Sequence, residues 1–281
     1  MEIISSTKNE KIKNISALLK SKKARDEQGV FVIEGIRIFK DTLKTASEYV
    51  ESIFISESIL GDNITQKDHI SLNSTITALF SVSLPDTISV YVVKDSVLDS
   101  VSGTVTTQGV IAIVRKPKIT LDRLLDISKT VSSINPQKIR LLILENIQDP
   151  GNLGTMLRTA EAAGMTGIIM SGDCTDIFSP KVVRASMGSI FRMPFVYCED
   201  FIKALNKIKG KGITIYAAYL HGGVPYKGIE FDSNYAILIG NEGNGLTDSA
   251  VNAANKRVFI PMSGEIESLN AAVAAAILMY K

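Results

Sequence analysis

From residue 139 onward, short apolar runs rich in β-branched residues alternate with stretches of helical period. Residues 139–144, 167–170, 195–197, 213–218, 235–239 and 257–260 read as strands, and 152–163, 181–188, 201–208, 247–254 and the closing alanine-rich run read as helices. No other feature constrains the fold as much. Strands joined through helices of this length run parallel, and a parallel sheet must be covered on both faces. The carboxyl half is therefore expected to be an α/β domain with a doubly covered sheet.

The amino half has a looser rhythm. Thr7-x-x-Glu10 reads as a capping box, and Ile12, Ile15, Leu18 and Leu19 then share one face of a helix whose other face is lysine. Strands are expected at 30–33, 50–55, 89–93 and 109–114, with a helix at 36–45. This gives a small α/β domain over 1–115. A polar stretch with Pro117 and Pro136 reads as a linker over 116–137, carrying a short helix at 121–127, and the second domain is expected over 138–281. A chain of 281 residues has ample length for two cores.

The net charge of +2 conceals an uneven distribution. Lys8, Lys11, Lys13, Lys20, Lys22, Lys23 and Arg25 crowd the amino terminus and far outnumber the acids there, so the first helix has a basic face that is either a solvated surface or a nucleic-acid contact. Two cysteines without a CxxC and two histidines argue against a Cys/His metal site or a disulfide framework, and no metal is expected. The opening MEIISSTKNEKIK lacks a signal-like apolar stretch, and no apolar run approaches roughly 18 residues, so a cytoplasmic chain away from membranes is expected.

Three polar, glycine-containing loops follow expected strands: ENIQDPGNLG (145–154), GNEGNGL (240–246) and the stretch opening IPMSGEIESLN (260–270). Ligands of open α/β sheets bind beyond the carboxyl ends of strands, so the three together mark a candidate site. The spacing GxxGxG, with no Lys-Ser or Lys-Thr behind it, fits neither a phosphate-binding P-loop nor the dinucleotide fingerprint. Arg158, at the edge of the apolar stripe of 152–164, is either a solvated helix residue or a guanidinium aimed at a phosphate or hydroxyl. Glu242 is either a loop acid in water or a site carboxylate. His221 is a weak candidate base. In SPKVVRASMGSIFRMP (179–194), Lys181, Arg184 and Arg192 belong either to a structural helix or to an RNA or subunit contact.

Taken in order, NLGTMLRTAEAAG (152–164), LIGNEGNGL (238–246) and IPMSGEIESLNAAVAAAI (260–277) resemble the three motifs of the SpoU (TrmH-like) family of RNA ribose 2′-O-methyltransferases, within the SPOUT superfamily. Residues 11–43 and 107–114 are similar to the substrate-binding domain that accompanies many members, itself like ribosomal RNA-binding proteins. The resemblance implies a carboxyl domain with a deep trefoil knot, S-adenosylmethionine as cofactor, and a homodimer through that domain. It assigns the cofactor's main-chain contacts to Gly240, Ile260 and Leu269. Arg158 would bind phosphate and polarise the ribose hydroxyl, and Asn152 would position the substrate or the loop. Glu242 would orient Arg158 or accept a proton, while Ser268 and Asn270 would lie near the ribose. Lys11, Lys13, Lys20, Lys22, Lys23, Arg25 and Arg37 would contact RNA. Glu265 and Glu267 make the third loop acidic and are expected to face solvent. The implied substrate is ribosomal RNA, with tRNA next. The rival readings are an RNA-binding protein of the same fold without catalysis and a base methyltransferase of the same superfamily.

Overall fold

The computed structural model describes residues 3–61, 72–81, 84–85, 87–103, 108–130, 138–266 and 268–281, so Glu267 and part of the expected linker (131–137) lie outside the described residues. The chain packs as two units, one of residues 1–117 with 178–191, the other of 118–177 with 192–281.

In the first unit, five strands form a mixed sheet in the order β1-β4-β3-β5-β2: β1 (Ile3–Ile4), β2 (Val30–Glu34), β3 (Val50–Ser56), β4 (Ser89–Val93) and β5 (Val110–Arg115). Here β5 runs antiparallel to both β2 and β3, while β4 is parallel to β3 and β1. Its helices are α1 (Glu10–Lys20), α2 (Lys22–Gln28), α3 (Ile36–Thr45), α4 (Glu57–Leu60), α5 (Leu72–Phe80) and α6 (Asp95–Val101).

The amphipathic face expected of α1 is present, with Ile12, Ile15 and Leu18 buried, but the cap is different. Asn9, not Thr7, accepts from the Lys11 backbone N–H at 2.9 Å. The short amide side chain one residue before the helix reaches the first free N–H groups, and the Thr7-x-x-Glu10 register does not. Arg25 also departs from expectation. It is 4% exposed and its Nη1 donates to the carbonyl of Leu18 at 2.5 Å, in the last turn of α1. A cation there satisfies carbonyls that the helix end leaves free, so Arg25 is a structural link between α1 and α2 rather than an RNA contact.

The second sheet is wholly parallel, seven strands in the order β10-β12-β9-β11-β6-β7-β8: β6 (Arg140–Leu144), β7 (Gly167–Ser171), β8 (Phe195–Cys198), β9 (Thr214–Ala218), β10 (Val224–Pro225), β11 (Tyr235–Ile239) and β12 (Lys256–Phe259). Its inner strands are apolar on both faces because helices cover both. Leu141, Ile143, Ile169, Ile215, Ala217, Ala236 and Leu238 share a core with α7 (Leu121–Thr130), α11 (Phe201–Gly210) and α12 (Asp248–Ala253). On the other face, α8 (Pro150–Ala162) and α13 (Ala271–Met279) pack on one another, α13 against β11 and α8 against β7. The alanines of α13 permit that close approach: Ala271, Ala272 and Ala275 are buried.

Between β7 and β8 the chain forms α9 (Pro180–Ala185) and α10 (Ser189–Arg192), and residues 178–191 pack with the first unit, not with the sheet whose strands flank them. Phe178 and Phe191 place their rings 4.9 and 5.9 Å from that of Phe31 on β2. Val182 and Val183 are buried as α9 lies on β2.

Candidate active site

The strand order reverses between β6 and β11: β7 and β8 extend the sheet to one side, and β11, β9 and β12 to the other. A crevice forms at such a switch point, beyond the carboxyl ends of the strands. A cavity of ≈ 670 Å³ lies at the carboxyl ends of β9, β11 and β12, lined by Tyr219 and Leu220, by residues 240–243 and 245, by 260–262, 265, 266, 268 and 269, and by the start of α13 at Ala271.

Each loop has its own fixing device. In the first, Asp149 caps α8 by accepting from the Asn152 N–H at 2.7 Å, and Pro150 follows at the start of the helix. Cys174 lies beneath, its Sγ accepting from the Ile147 N–H at 3.3 Å; burial pushes its thiol up, so it stays protonated. In the second loop, Asn241 and Gly245 pair through both backbone N–H groups at 3.0 Å, and Asn241 Oδ1 accepts from Gly243 and Asn244. A Cβ on Gly240 would fall on the backbone of Gly245 and Leu246, so only glycine closes this turn. The third loop ends at Asn270, whose Oδ1 accepts from Ala272 (2.9 Å) and Val273 (3.2 Å) and so caps α13.

A chain of polar contacts crosses all three loops. Asn270 Nδ2 donates to Asn152 Oδ1 at 2.9 Å, and Asn152 Nδ2 donates to Glu242 Oε1 at 2.9 Å. The orientation of both amides follows from chemistry: helix N–H groups need the Asn270 oxygen, and an ionised carboxylate accepts only. Glu242 also accepts from the backbone N–H groups of Gln148 (3.2 Å) and Asp149 (3.3 Å). Burial pushes its carboxyl upward, but the Asn152 amide and those backbone donors outweigh it and hold Glu242 below the ordinary glutamate range. A second tie runs underneath. Glu145, 7% exposed at the end of β6, accepts from Thr247 N (2.8 Å) and Oγ1 (2.7 Å).

Of the residues singled out from sequence, Gly240, Glu242, Ile260, Ser268 and Leu269 line the cavity. Asn152 and Asn270 join it through Glu242. Arg158 is exposed on α8, and among the described residues no hydrogen bond or ion pair engages it. Glu242 is thus bound to Asn152, Gln148 and Asp149 rather than to Arg158. Glu265 is exposed as expected, yet it is also part of the cavity wall. His221 is exposed, with its ring edge-on to Tyr219, and does not line the cavity. Arg192 forms a two-pronged ion pair with Glu161 of α8. Sequence reasoning passed over Tyr219 and Leu220; their position directly after a strand was the available signal. Glu145 and Thr247 were also missed, because a buried carboxylate leaves no trace in periodicity.

The family model described as the SpoU rRNA methylase family matches residues 140–280. The chain belongs to the SpoU family. A second model, an MRM3-like substrate-binding domain, matches residues 9–112. The chain is 31% identical, over 100% of its length and 98% of the relative's, to the 23S rRNA (guanosine(2553)-2′-O)-methyltransferase RlmP of Bacillus subtilis. An AdoMet-bound rRNA methyltransferase from Sinorhizobium meliloti superposes with a TM-score of 0.80 at 29% identity, covering 99% of this chain and 96% of that one. The SpoU methyltransferase AviRb of Streptomyces viridochromogenes shares the fold, with a TM-score of 0.77 at 24% identity over 97% and 95% of the two chains. Like other SpoU proteins, this one is a methyltransferase with an α/β fold. Among the described residues no helix is long and apolar enough to cross a membrane, and no cluster of His, Cys, Asp and Glu could hold a metal ion.

Proposed function

We propose that this SpoU protein transfers the methyl group of S-adenosylmethionine to the 2′-oxygen of a ribose in structured ribosomal RNA of the 23S type. One observation carries the reading. Among the described residues the cavity at the ends of β9, β11 and β12 is walled by loop residues and apolar side chains, with Glu242 and Glu265 as its charged groups and neither lysine nor arginine. A cationic sulfonium suits a site whose charged groups are carboxylates, whereas a nucleoside phosphate would find there no cation and only the N-terminus of α13 at Ala271, already capped by Asn270. The B. subtilis relative's name and its match over the whole chain support the substrate class.

Gly240, Ile260 and Leu269 hold the cofactor through the main chain of the second and third loops. When bound, the cofactor supplies an activated methyl group. The residues of this chain must then align a hydroxyl with it and ease loss of the proton. Arg158 binds phosphate and polarises the 2′-hydroxyl; a guanidinium with pKa above about 12 is a donor, not a base. Glu242, ionised and held by three donors, is a positioning residue that fixes Asn152, which in turn fixes Asn270. Ser268, exposed on the cavity wall, presents its hydroxyl to the ribose.

Arg158 has to meet the cavity from its place on α8, and a homodimer through the carboxyl domain supplies the missing wall. Val273, 47% exposed on the otherwise apolar α13, supports that arrangement. The trefoil knot belongs to the same reading. After β12, near the sheet's edge, residues 260–270 lead back to a helix that packs on α8 and β11 in its middle, a return that a threaded chain explains. The first unit then binds RNA through Lys11, Lys13, Lys20, Lys22 and Lys23, all exposed on α1 and α2, and Arg37 on α3.

Incubating the purified protein with labelled S-adenosylmethionine and protein-free 23S rRNA from a strain lacking it tests the proposal. Label should appear on one ribose. Cofactor binding with no transfer to that RNA, or transfer to a base, would overturn it.

A further inference from the structure

A groove of ≈ 460 Å³ lies within the second unit, between the end of α12, the start of β12 and the loop that follows β9. Its polar wall consists of Asn252, Asn255, Lys256 and Arg257, and among the described residues no carboxylate lines it. The acceptors on that wall are already engaged. Asn255 Oδ1 accepts from the Ile215 N–H at 2.9 Å, and Asn252 Oδ1 accepts from Arg257 Nη2 at 3.4 Å. Neither amide's Nδ2 has a hydrogen bond among the described residues, so both remain donors. Arg257 is half-buried and forms no ion pair among the described residues. Its guanidinium meets neutral groups: the His221 carbonyl and Asn252, each at a long 3.4 Å, and the ring of Tyr219 at 5.7 Å. Lys256 offers less, because Asp232 holds its ammonium at 3.3 Å.

A wall of donors whose acceptors are engaged elsewhere suits an anion that only accepts, and a phosphodiester is one. The guanidinium's planar fork matches phosphate in particular. The groove is also linked to the candidate active site. The chain runs from Tyr219 and Leu220, which line the cavity there, through the exposed His221 to Gly222 in the groove wall. Arg257, with its guanidinium over Tyr219, spans the same step from the side of β12. The link is stiff: a Cβ on Gly223 would meet the Tyr219 carbonyl at 2.6 Å, and Val224 pairs with Val258 in the sheet. Val224, 47% exposed, adds apolar surface beside the donors, which a nucleotide uses and a bare phosphate does not.

We propose that this groove holds the backbone of RNA nucleotides next to the one that is methylated, with Arg257 on a phosphate and the amides of Asn252 and Asn255 donating to phosphate or ribose oxygens beside it. This rests on the reading of the chain as an RNA methyltransferase, and it adds a contact in the catalytic unit to the lysines of the first. Contacts of this kind fix the register of a strand and carry no base preference, so the groove accepts any sequence and its task is to deliver the neighbouring ribose to the cavity.

Two measurements on the full chain test it: photocrosslinking to a single-stranded oligouridylate that carries 4-thiouridine, mapped by mass spectrometry, and fluorescence anisotropy with the same oligomer. Crosslinks are expected within residues 219–226 as well as in the first unit, and crosslinks confined to the first unit would overturn the proposal. Arg257→Ala should weaken binding about tenfold and lower the salt slope by about one. That variant also strips a neighbour from Tyr219, so Asn252→Asp is the sharper test. Asn252 is exposed; its replacement leaves Arg257 in place, hands it the carboxylate it lacks, and should weaken binding as much with thermal unfolding unchanged. Unaltered RNA affinity in Asn252→Asp would overturn the proposal. So would polyglutamate that abolishes the 219–226 crosslinks as effectively as unlabelled oligouridylate, which would assign the groove to an acidic protein. Methyl transfer to 23S rRNA by the wild type is measured beside these. If transfer occurs but both variants bind normally, the groove is wrong and the methyltransferase stands. If the wild type transfers to no RNA while oligouridylate binding depends on Arg257, the groove stands and the proposed substrate is wrong.

Discussion

The two units use polar side chains in opposite ways. At the carboxyl ends of the second sheet they are engaged with one another: Glu145 with Thr247, Glu242 with Asn152, Asn152 with Asn270. In the first unit more charge faces solvent: Lys13 and Lys23 pair only with neighbouring exposed acids, Glu10 and Glu27, and Lys20, Lys22 and Arg37 are exposed with no ion pair among the described residues. A cofactor site needs loops held rigidly before the ligand arrives, so its polar groups are consumed in holding them. A polyanion site needs charge that the fold has not neutralised. On this contrast Arg158, exposed on α8 and unbonded among the described residues, is an exception within the second unit.

That exception gives the largest expected effect. Arg158→Ala should lower methyl transfer by about 10²–10³-fold while leaving cofactor affinity within about twofold, as for loss of one donor to a reacting oxygen. Normal turnover would place Arg158 among the solvated residues after all. Gly240→Ala attacks the closed side. Its methyl meets backbone that cannot swing away, and a loss of about 3 kcal/mol in denaturant unfolding is expected, together with cofactor binding. A stable variant with intact affinity would mean that the loop is softer than its geometry implies.

Glu242→Gln keeps the shape and removes the charge. Because Glu242 is exposed and solvent screens its charge, the carboxylate should contribute at most about 1 kcal/mol, seen as a modest rise in the cofactor Kd with no change in the pH dependence attributable to a base. The pH dependence itself has a definite sign. Glu242 is held below its ordinary value, so its contribution is fully present above the glutamate pKa of the unfolded chain and is lost as the pH falls through the lower, folded value. Unfolding followed from pH 7 downward should show this acid loss in wild type and not in Glu242→Gln. Smallest of all, Lys20→Gln, Lys22→Gln and Lys23→Gln should each reduce the salt dependence of RNA binding by about one unit of slope, without affecting cofactor binding. Charge removal is a cleaner test than deleting 1–115, which would strip α9 of the strand it covers.

Much of this was legible in the sequence, and the failures share a cause. Strand β11 at Tyr235–Ile239 and helix α3 at Ile36–Thr45 coincide with the expected limits, because long apolar runs and 3.6-residue period are local properties. The cap of α1 moved from Thr7 to Asn9, a choice between adjacent polar residues that only backbone geometry makes. The two-residue strands β1 and β10 are too short to carry a pattern. Periodicity tells which face of a helix is buried but not which sheet it is buried against, so residues 178–191 read as part of the unit that flanks them. Arg25 read as one more surface cation, because a basic side chain that turns back onto helix carbonyls looks the same in sequence. At the site, the loops were visible as motifs, but the sharing of donors among Glu242, Asn152 and Asn270 required coordinates.

The excursion of residues 178–191 also fixes an order of events during synthesis. Phe31 is fully buried, and two of the rings around it belong to Phe178 and Phe191. A chain emerging from the ribosome can form its first sheet early, but that sheet keeps an uncovered aromatic patch until the second unit is half made. The amino-terminal unit is thus the first begun and cannot be the first finished, which makes the nascent chain, rather than the mature protein, the form most exposed to aggregation.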